Sequence, residues 1–280
     1  MKRALMTAAV LAALAAPASA QRSPDFATLD RGDGISHIGL DVAWVNLDPP
    51  LPAAPYDWVF HVELHGQYVL HSGLGFYLAL PFAKSSGDPD EGEREGTGAL
   101  GDFDVGGLYT ISGPQLSLVF RLGLVIPTAS EDDGDFSTNY WGQMFRLTDI
   151  AMVNPDAWYA RLAFSPLYHA SSLFLRLDLG VDIPFAEDNY RADPIGRLNL
   201  GAGFDFGVAA LMLELDNIID IDDDDEDPDG DDDVFSEVAV TARFMGETLQ
   251  PYLSVGTPID DGVRDVVDFF IAGGIQGVLH

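Results

Sequence analysis

Hydrophobic residues recur at every second position through about a dozen segments of this chain. One such segment covers residues 173–185, where every odd-numbered position is apolar and the intervening positions include Arg176, Asp178 and Asp182. Successive side chains of a β-strand point to opposite faces, so each segment predicts a strand with one apolar and one mostly polar face. A soluble β-sandwich shows the same alternation, so the connections between strands have to decide the architecture.

The connections between the predicted strands alternate in length. We predict twelve strands, near residues 36–47, 57–69, 73–84, 99–111, 115–127, 156–168, 172–184, 195–206, 208–219, 233–244, 249–257 and 266–279. Short turns at one end, long loops at the other and an even strand number are typical of outer-membrane barrels. The sequence therefore predicts an all-β fold, a transmembrane antiparallel up-and-down β-barrel. A secreted soluble β-sandwich is the competing fold.

The faces predicted to point outward support the barrel. They carry apolar side chains, such as Leu116, Phe120 and Leu124 in one strand, and no charged ones. A charged group there would cost roughly 2–4 kcal/mol at the middle of a bilayer, and closure of the sheet would leave no unpaired edge in lipid.

The first twenty residues are typical of a secretory signal peptide. A basic start at Lys2 and Arg3 precedes an apolar stretch, and an Ala-x-Ala site ends at Ala20. We expect cleavage after Ala20, an N-terminal periplasmic leader over residues 21–34 and the barrel over residues 35–280; an uncleaved membrane anchor is the alternative. The chain has no cysteine, which excludes disulfides. Together with the predicted barrel, the signal peptide predicts that the protein is located in the outer membrane of a Gram-negative bacterium.

The net charge of the chain is −31, and removal of residues 1–20 leaves twelve basic residues against 45 acidic ones. Such a chain repels nucleic acid and anionic lipid surfaces, which excludes nucleic acid as a partner. The expected partners are outer-membrane lipid, a small-molecule solute and divalent cations. A saline habitat explains the acidity equally well.

The inward faces carry the candidate solute path. Its members are His61, Glu63, His65, Asp102, Asp104, Arg121, Arg161, Arg176, Asp178, Arg197, Asp205, Glu214, Glu237 and Arg243. Carboxylates outnumber arginines along the inward faces, which favours cations in a water-filled lumen. The alternative is that acids and arginines pair across strands, for instance Asp102 or Asp104 with Arg121, and fill the interior. A twelve-stranded barrel predicts a narrow or partly plugged lumen.

Two patterns raise the question of a metal site. His61, Glu63 and His65 share one strand face, but next-but-one residues lie ~6.5–7 Å apart, so polar lumen residues explain them more simply. The acidic run at 222–233 contains Asp225, Asp227, Asp229 and Asp231 at the spacing that opens an EF-hand loop. Ser236 stands where that loop needs Glu. The sequence predicts weak calcium binding or a solvated loop here, and no other cofactor.

Catalysis has little support in the sequence. A hydrolase needs a Ser or Cys nucleophile beside a His base, and no histidine of the chain lies in a nucleophile motif. We therefore predict that the chain is not an enzyme, and an outer-membrane hydrolase is the least favoured alternative.

Two consecutive strands carry a resemblance to a known family. Residues 96–109 read GTGALGDFDVGGLY, and residues 116–128 read LSLVFRLGLVIPT. Both stretches resemble outer-membrane transporters of the MetA-pathway-of-phenol-degradation type, although Ala129 replaces the Gly that often follows Pro-Thr there. The resemblance implies a porin-like barrel that takes up a small hydrophobic or aromatic solute.

Together these patterns predict an outer-membrane channel or transporter that passes a small solute through a narrow acidic lumen by facilitated diffusion. The alternative is a closed structural or surface-interaction barrel whose acidic outer loops bind calcium.

Overall fold

The computed structural model describes residues 25–47, 56–86, 97–130, 132–187, 192–221 and 234–279. Within these ranges thirteen strands form one antiparallel sheet. They are β1 (His37–Leu47), β2 (Trp58–Val69), β3 (Leu74–Ser85), β4 (Gly98–Leu100), β5 (Phe103–Ser112), β6 (Leu116–Ile126), β7 (Ala157–Ala170), β8 (Leu173–Glu187), β9 (Ile195–Asp205), β10 (Ala209–Asp220), β11 (Val234–Phe244), β12 (Leu249–Pro258) and β13 (Val267–Val278).

The sheet closes on itself. β1 pairs with both β2 and β13, β2 pairs with β3, and the remaining strands pair in chain order. The short β4 and the longer β5 both pair with β3, so together they form one stave of the barrel wall. The result is a closed twelve-stranded antiparallel barrel, which confirms the predicted fold. Closure pairs the backbone of every stave and leaves no edge for another chain to join.

The fourth stave is interrupted at Gly101 and Asp102, where the sequence predicts an unbroken strand over 99–111. The amide of Asp102 donates to the carbonyl of Met152 at 2.7 Å rather than to a neighbouring strand. Its carboxylate accepts hydrogen bonds from the amides of Thr128 and Ala129, both at 2.7 Å. The backbone amide and the carboxylate of Asp102 thus anchor the long connection between β6 and β7.

The outer surface of the barrel is apolar. Outward side chains on staves all around the barrel are exposed, with Leu122 at 62%, Phe76 at 57% and Leu253 at 58% of their surface. Side chains at the intervening positions are buried, and many of them are polar or charged. This inversion of a soluble protein's surface is the arrangement that lipid requires of a barrel. No helix among the described ranges is long and apolar enough to span a membrane.

The two ends of the barrel differ. Short turns and the start of β1 lie at one end, and Gly73 and Gly207 supply positive φ angles of 85° and 86° in two of these turns. Glycine reaches such angles without the steric cost that other residues incur. The long connections lie at the opposite end. One of them contains the one-turn helix α2 (Asp261–Arg264) before β13.

The connection between β6 and β7 folds inward. It forms helix α1 (Asp133–Gln143) and a 3-10 helix (Leu147–Val153), all of whose residues are buried. The Asp132 carboxylate caps α1 by accepting from the amide of Gly134 at 2.9 Å, and acidic residues suit the positive end of a helix. Gly142 lets α1 approach the wall closely, because a Cβ there would lie 2.9 Å from that of Ala83.

The segment that precedes β1 also lies inside the barrel. Phe26, Ala27, Thr28 and Leu29 are fully buried, and burial continues through Asp33. The sequence predicts residues 21–34 as a periplasmic leader, and the described part of that range instead occupies the interior. The reason is complementarity: Phe26 and Leu29 join an apolar cluster with Phe174, whereas the charged residues that follow find partners on the wall. We call residues 25–34 the inner segment.

Candidate solute path

Alternation along the strands places the predicted path residues in the interior. Twelve of the fourteen are buried, namely His61, Glu63, His65, Asp102, Asp104, Arg161, Arg176, Asp178, Arg197, Glu214, Glu237 and Arg243. The two exceptions are Arg121, whose side chain is 11% exposed, and Asp205, which accepts from the amide of Gly207 at 2.6 Å in a short turn. Asp205 therefore shapes a turn at the rim, and its place on the path stays a prediction. Asp102 anchors the β6–β7 connection.

Arg161 on β7 is the centre of one polar network. Its guanidinium donates to Asp104 at 2.8 Å, to Asp149 at 2.9 Å and to Asp182 at 3.1 Å. A fourth bond reaches the carbonyl of Thr148 at 2.6 Å. Asp104 and Asp182 belong to the wall, whereas Asp149 belongs to the 3-10 helix. Arg161 thus fixes the inward-folded connection to the barrel.

A second arginine fixes the inner segment to the same side. Arg197 on β9 contacts both carboxylate oxygens of Asp30 at 2.7 Å and reaches Asp182 at 2.8 Å. Burial alone would raise the pKa of Asp30, but the charges of Arg197 and Arg121 outweigh it and hold that pKa below its ordinary value. Asp30 is therefore ionised and paired at neutral pH.

Arg121 on β6 pairs only loosely. Its guanidinium lies 3.8 Å from the centre of the Tyr77 ring, a cation–π distance, and 3.9 Å from Asp30. The sequence offered Asp104 as its partner, but Asp104 binds Arg161. A cavity of about 10 Å³ lies beside Arg121, with room for one water at most. We call the inner faces of β6 to β9, with Arg121, Arg161, Arg176 and Arg197, the arginine wall.

Carboxylates face the interior from β1, β2, β10 and β11, of which β10 adjoins β9 of the arginine wall. Arg31 of the inner segment reaches Asp41 on β1 and Glu63 on β2, both at 2.6 Å. Glu214 on β10 accepts from the amide and hydroxyl of Thr28 at 2.8 and 2.9 Å. We call the inner faces of β1, β2, β10 and β11, with Asp41, Glu63, Glu214, Asp216 and Glu237, the acidic wall.

Asp216 and Glu237 face each other across β10 and β11. Both are fully buried, and the described residues contain no salt bridge to either. An uncompensated carboxylate is costly to bury in a low-dielectric interior. This pair adds to the excess of acid over base within the barrel.

Arg146 joins the two interior segments. It lies between α1 and the 3-10 helix, is 1% exposed, and donates to the carbonyls of Ala27 and Leu29. Its guanidinium also lies 3.8 Å from Asp41 and 3.9 Å from Asp149. Burial alone would raise the pKa of Asp149, but Arg161, Arg146 and Arg31 hold it below its ordinary value. The interior is thus closed by segments that enter from opposite ends and meet.

The remaining predicted residues sit in local contacts. Arg176 bonds Asp178 at 2.9 Å. Arg243 bonds Gln276 at 2.8 Å and lies over the Tyr252 ring. His65 lies 3.3 Å from Asp41, and the His61 ring packs on that of Phe145 with centroids 4.8 Å apart.

Of the two predicted metal sites, only the one on β2 lies within the described residues. No group of three or more His, Cys, Asp or Glu within the described ranges is arranged to hold a metal ion, and the histidines of β2 are part of those ranges. The acidic run that contains Asp225, Asp227, Asp229 and Asp231 lies outside the described residues. Calcium binding there stays a prediction.

Several interior residues escaped sequence reasoning. Asp41 alternates with apolar neighbours in β1, so the same period-two argument would have found it. Asp30, Arg31, Arg146 and Asp149 lie outside the strands, where no periodicity marks the inward face. For these residues the remaining sequence signal is arginine itself. The chain has very few basic residues, so Arg31 and Arg146 stand out as candidate partners for its carboxylates.

Three solved structures share this architecture. No protein-family model matches the chain, and no curated protein matches it. An outer-membrane channel from Pseudomonas putida F1 superposes with a TM-score of 0.60 at 16% identity, covering 90% of this chain and 100% of that one. The chain has an outer-membrane β-barrel fold. The NanC porin has a TM-score of 0.53 at 10% identity and the KdgM porin 0.51 at 11%, each covering 86% of this chain and 100% and 99% of its own.

These identities show the fold alone. The outer-membrane barrel fold agrees with the exposed apolar belt and with the alternation of short turns and long connections. The finer resemblance to transporters of the phenol-degradation type is not confirmed and stays a prediction.

Proposed function

We propose that the chain is an outer-membrane channel that passes a small solute through its lumen by facilitated diffusion. One observation carries the proposal. The interior is lined with charged groups, and the two segments that fill it, the inner segment and the β6–β7 connection, are not strands of the barrel wall. Among the described residues, thirteen carboxylates and six arginines are buried. The proposal gives none of them a catalytic role, and the similar structures named above are channels and porins.

The energetics of buried charge support a path rather than a scaffold. Removing an ion from water costs several kcal/mol, and a well-packed apolar interior often stabilises a protein as well as ion pairs do. A barrel with a purely structural role gains little from this lining. A path that is hydrated when the interior segments move needs polar walls, and the arginine wall and acidic wall supply them.

Displacement of the inner segment would remove one of the two segments that close the path. The residues of the inner segment form no strand pairing with the barrel. Side chains and single hydrogen bonds hold it instead, among them the contacts of Phe26 and Leu29 with the apolar cluster and of Asp30 and Arg31 with the two walls. The excess of carboxylates supports a preference for cations once the lumen is wet. The apolar cluster supports, together with the family resemblance, a solute with a hydrophobic or aromatic part.

A second candidate is a closed structural or surface-interaction barrel. The occlusion of the lumen favours it, since two segments meet at Arg146 and leave little free space beside the arginine wall. In that case the acidic outer loops would carry the function.

Single-channel conductance in a planar bilayer tests the proposal. The double variant Asp30→Asn, Arg31→Gln removes the ion pairs that these two residues of the inner segment form with the two walls. The double variant Arg264→Gln, Asp265→Asn removes the same two charges from exposed positions of an outer connection and serves as the matched control.

We expect small or infrequent current steps from the unmodified chain and the control, and larger, longer openings from the inner-segment variant. Reversal potentials in a salt gradient should show cation preference. Silence from all three proteins after demonstrated insertion would contradict the channel and favour the closed barrel.

A further inference from the structure

The backbone of the inner segment is bound by side chains of the barrel and of the inward-folded connection. The carbonyls of Ala27 and Leu29 accept from Arg146, and that of Asp30 accepts from Arg176. The carbonyl of Thr28 accepts from the Thr148 hydroxyl at 3.3 Å, and its amide donates to Glu214 at 2.8 Å. Four consecutive carbonyls and one amide therefore have side-chain partners.

Such an arrangement differs from that of a segment that completes a sheet, whose backbone is bound by the backbone of its neighbours. Here three of the four carbonyls accept from long, buried arginine side chains of the wall and of the connection, and the fourth accepts from Thr148. Hydrogen bonds with a charged partner are roughly twice as strong as neutral ones. The surroundings of residues 27–30 are thus equipped to hold an extended peptide backbone.

The side chains of the segment are recognised as well. Phe26 meets Phe174 edge-to-face with ring centroids 5.7 Å apart, and a Cβ at Gly201 would collide with the Phe26 ring. Asp30 reaches the arginine wall and Arg31, the next residue, reaches the acidic wall. An apolar pocket, a backbone site and two oppositely charged surfaces follow one another along the segment.

We propose that this part of the lumen is a binding site for short peptides, with the inner segment as its resident ligand. The preferred ligand has apolar residues followed by an acidic and then a basic side chain, in the order Phe-Ala-Thr-Leu-Asp-Arg of residues 26–31. Binding itself does not require conduction. The further step, that a bound peptide is also a transported solute, rests on the function proposed above.

A tethered ligand competes strongly with a free one, because a short linker gives it an effective concentration on the order of mM. The test therefore uses the full-length Asp30→Asn, Arg31→Gln variant, whose own segment has lost both charged contacts. Isothermal titration calorimetry follows the binding of the hexapeptide Phe-Ala-Thr-Leu-Asp-Arg. The control peptide, Phe-Ala-Thr-Leu-Arg-Asp, has the same composition with the two charges exchanged.

We expect the first peptide to bind the variant at least tenfold more tightly than the exchanged peptide, and more tightly than it binds the unmodified chain. Absence of binding up to millimolar concentration, or equal binding of the two peptides, would overturn the proposal.

A second measurement does not depend on that variant. The chain has no cysteine, so Ala27→Cys introduces a single buried thiol, and Ser172→Cys gives an exposed control in a short turn. At ~10 mM, the first peptide should accelerate maleimide labelling at position 27 at least fivefold and leave position 172 unchanged. No acceleration, or equal acceleration by the exchanged peptide, would count against the site.

These assays separate the two proposals. Peptide binding without ion current would retain the site and contradict the channel. Ion current from the loosened variant without peptide binding would retain the channel and contradict the site.

Discussion

Replacement of Arg146 by Met should release the inner segment while leaving the barrel folded. Methionine keeps much of the length of the arginine side chain and removes its donors. The bonds lost are those to the carbonyls of Ala27 and Leu29. In the variant, Asp41 retains its ion pair with Arg31 at 2.6 Å, and Asp149 retains its ion pair with Arg161 at 2.9 Å. Neither carboxylate is therefore left without a partner.

The magnitude follows from these contacts. A hydrogen bond to a charged group contributes about 1.5–3 kcal/mol, and the bond to Leu29 is long at 3.4 Å. The two together should contribute about 3 kcal/mol to the docking of the segment. Since 1.36 kcal/mol corresponds to a factor of ten, the equilibrium constant for undocking should rise about a hundredfold.

Amide hydrogen exchange measured by mass spectrometry reports this equilibrium. The amide of Thr28, bonded to Glu214 at 2.8 Å, should lose protection by about two orders of magnitude, whereas the strands keep theirs. Arg243→Met is the matched control, since Arg243 is equally buried and bonds Gln276 and Gln250. Unchanged protection of Thr28 in a folded Arg146→Met protein, or an equal loss in the control, would refute the reasoning.

Three further outcomes are expected. Asp102→Asn should speed protease cleavage within residues 127–156 severalfold, because the charged acceptor for two amides is lost; an unchanged rate would argue against the anchor. The pKa values of Asp30 and Asp149 are held below the ordinary 3.8, so their contribution to docking is complete above that pH and is lost as the pH falls through the lowered values. Release of the inner segment through these two carboxylates, and the rise in conductance that it produces, should therefore begin only below pH 3.8. The Asp30→Asn variant should show a smaller acid-induced rise, and an equal rise would contradict this. Leu177→Arg places a charge on the outer face at a cost of roughly 2–4 kcal/mol and should impair insertion into vesicles, whereas Ser172→Arg in a turn should not.

The wall of the barrel is predictable from sequence because its rule is local. A period of two, apolar on one face, assigns nearly all of the predicted inward-facing residues to the interior, where the structure has them, and the lengths of the connections indicate closure. The break at Gly101 and Asp102 escapes this rule, since it depends on a carbonyl of Met152 that lies fifty residues away.

The interior segments are less predictable for a physical reason. Their conformation is determined by partners on distant strands, such as Glu214 for Thr28 and Arg197 for Asp30. A short polar stretch before the first strand is typical of a leader. Nothing in the residues of this stretch indicates that Asp30 pairs with arginines of distant strands.

The opposed contacts of two consecutive residues restrict how the inner segment can lie. Asp30 meets arginines on one side, and Arg31 meets carboxylates on the other. If the chain slipped by one residue, one of these two side chains would take the place of the other and meet groups of its own sign, and like charges placed together cost several kcal/mol. The charges of the lumen therefore fix the inner segment in a single register.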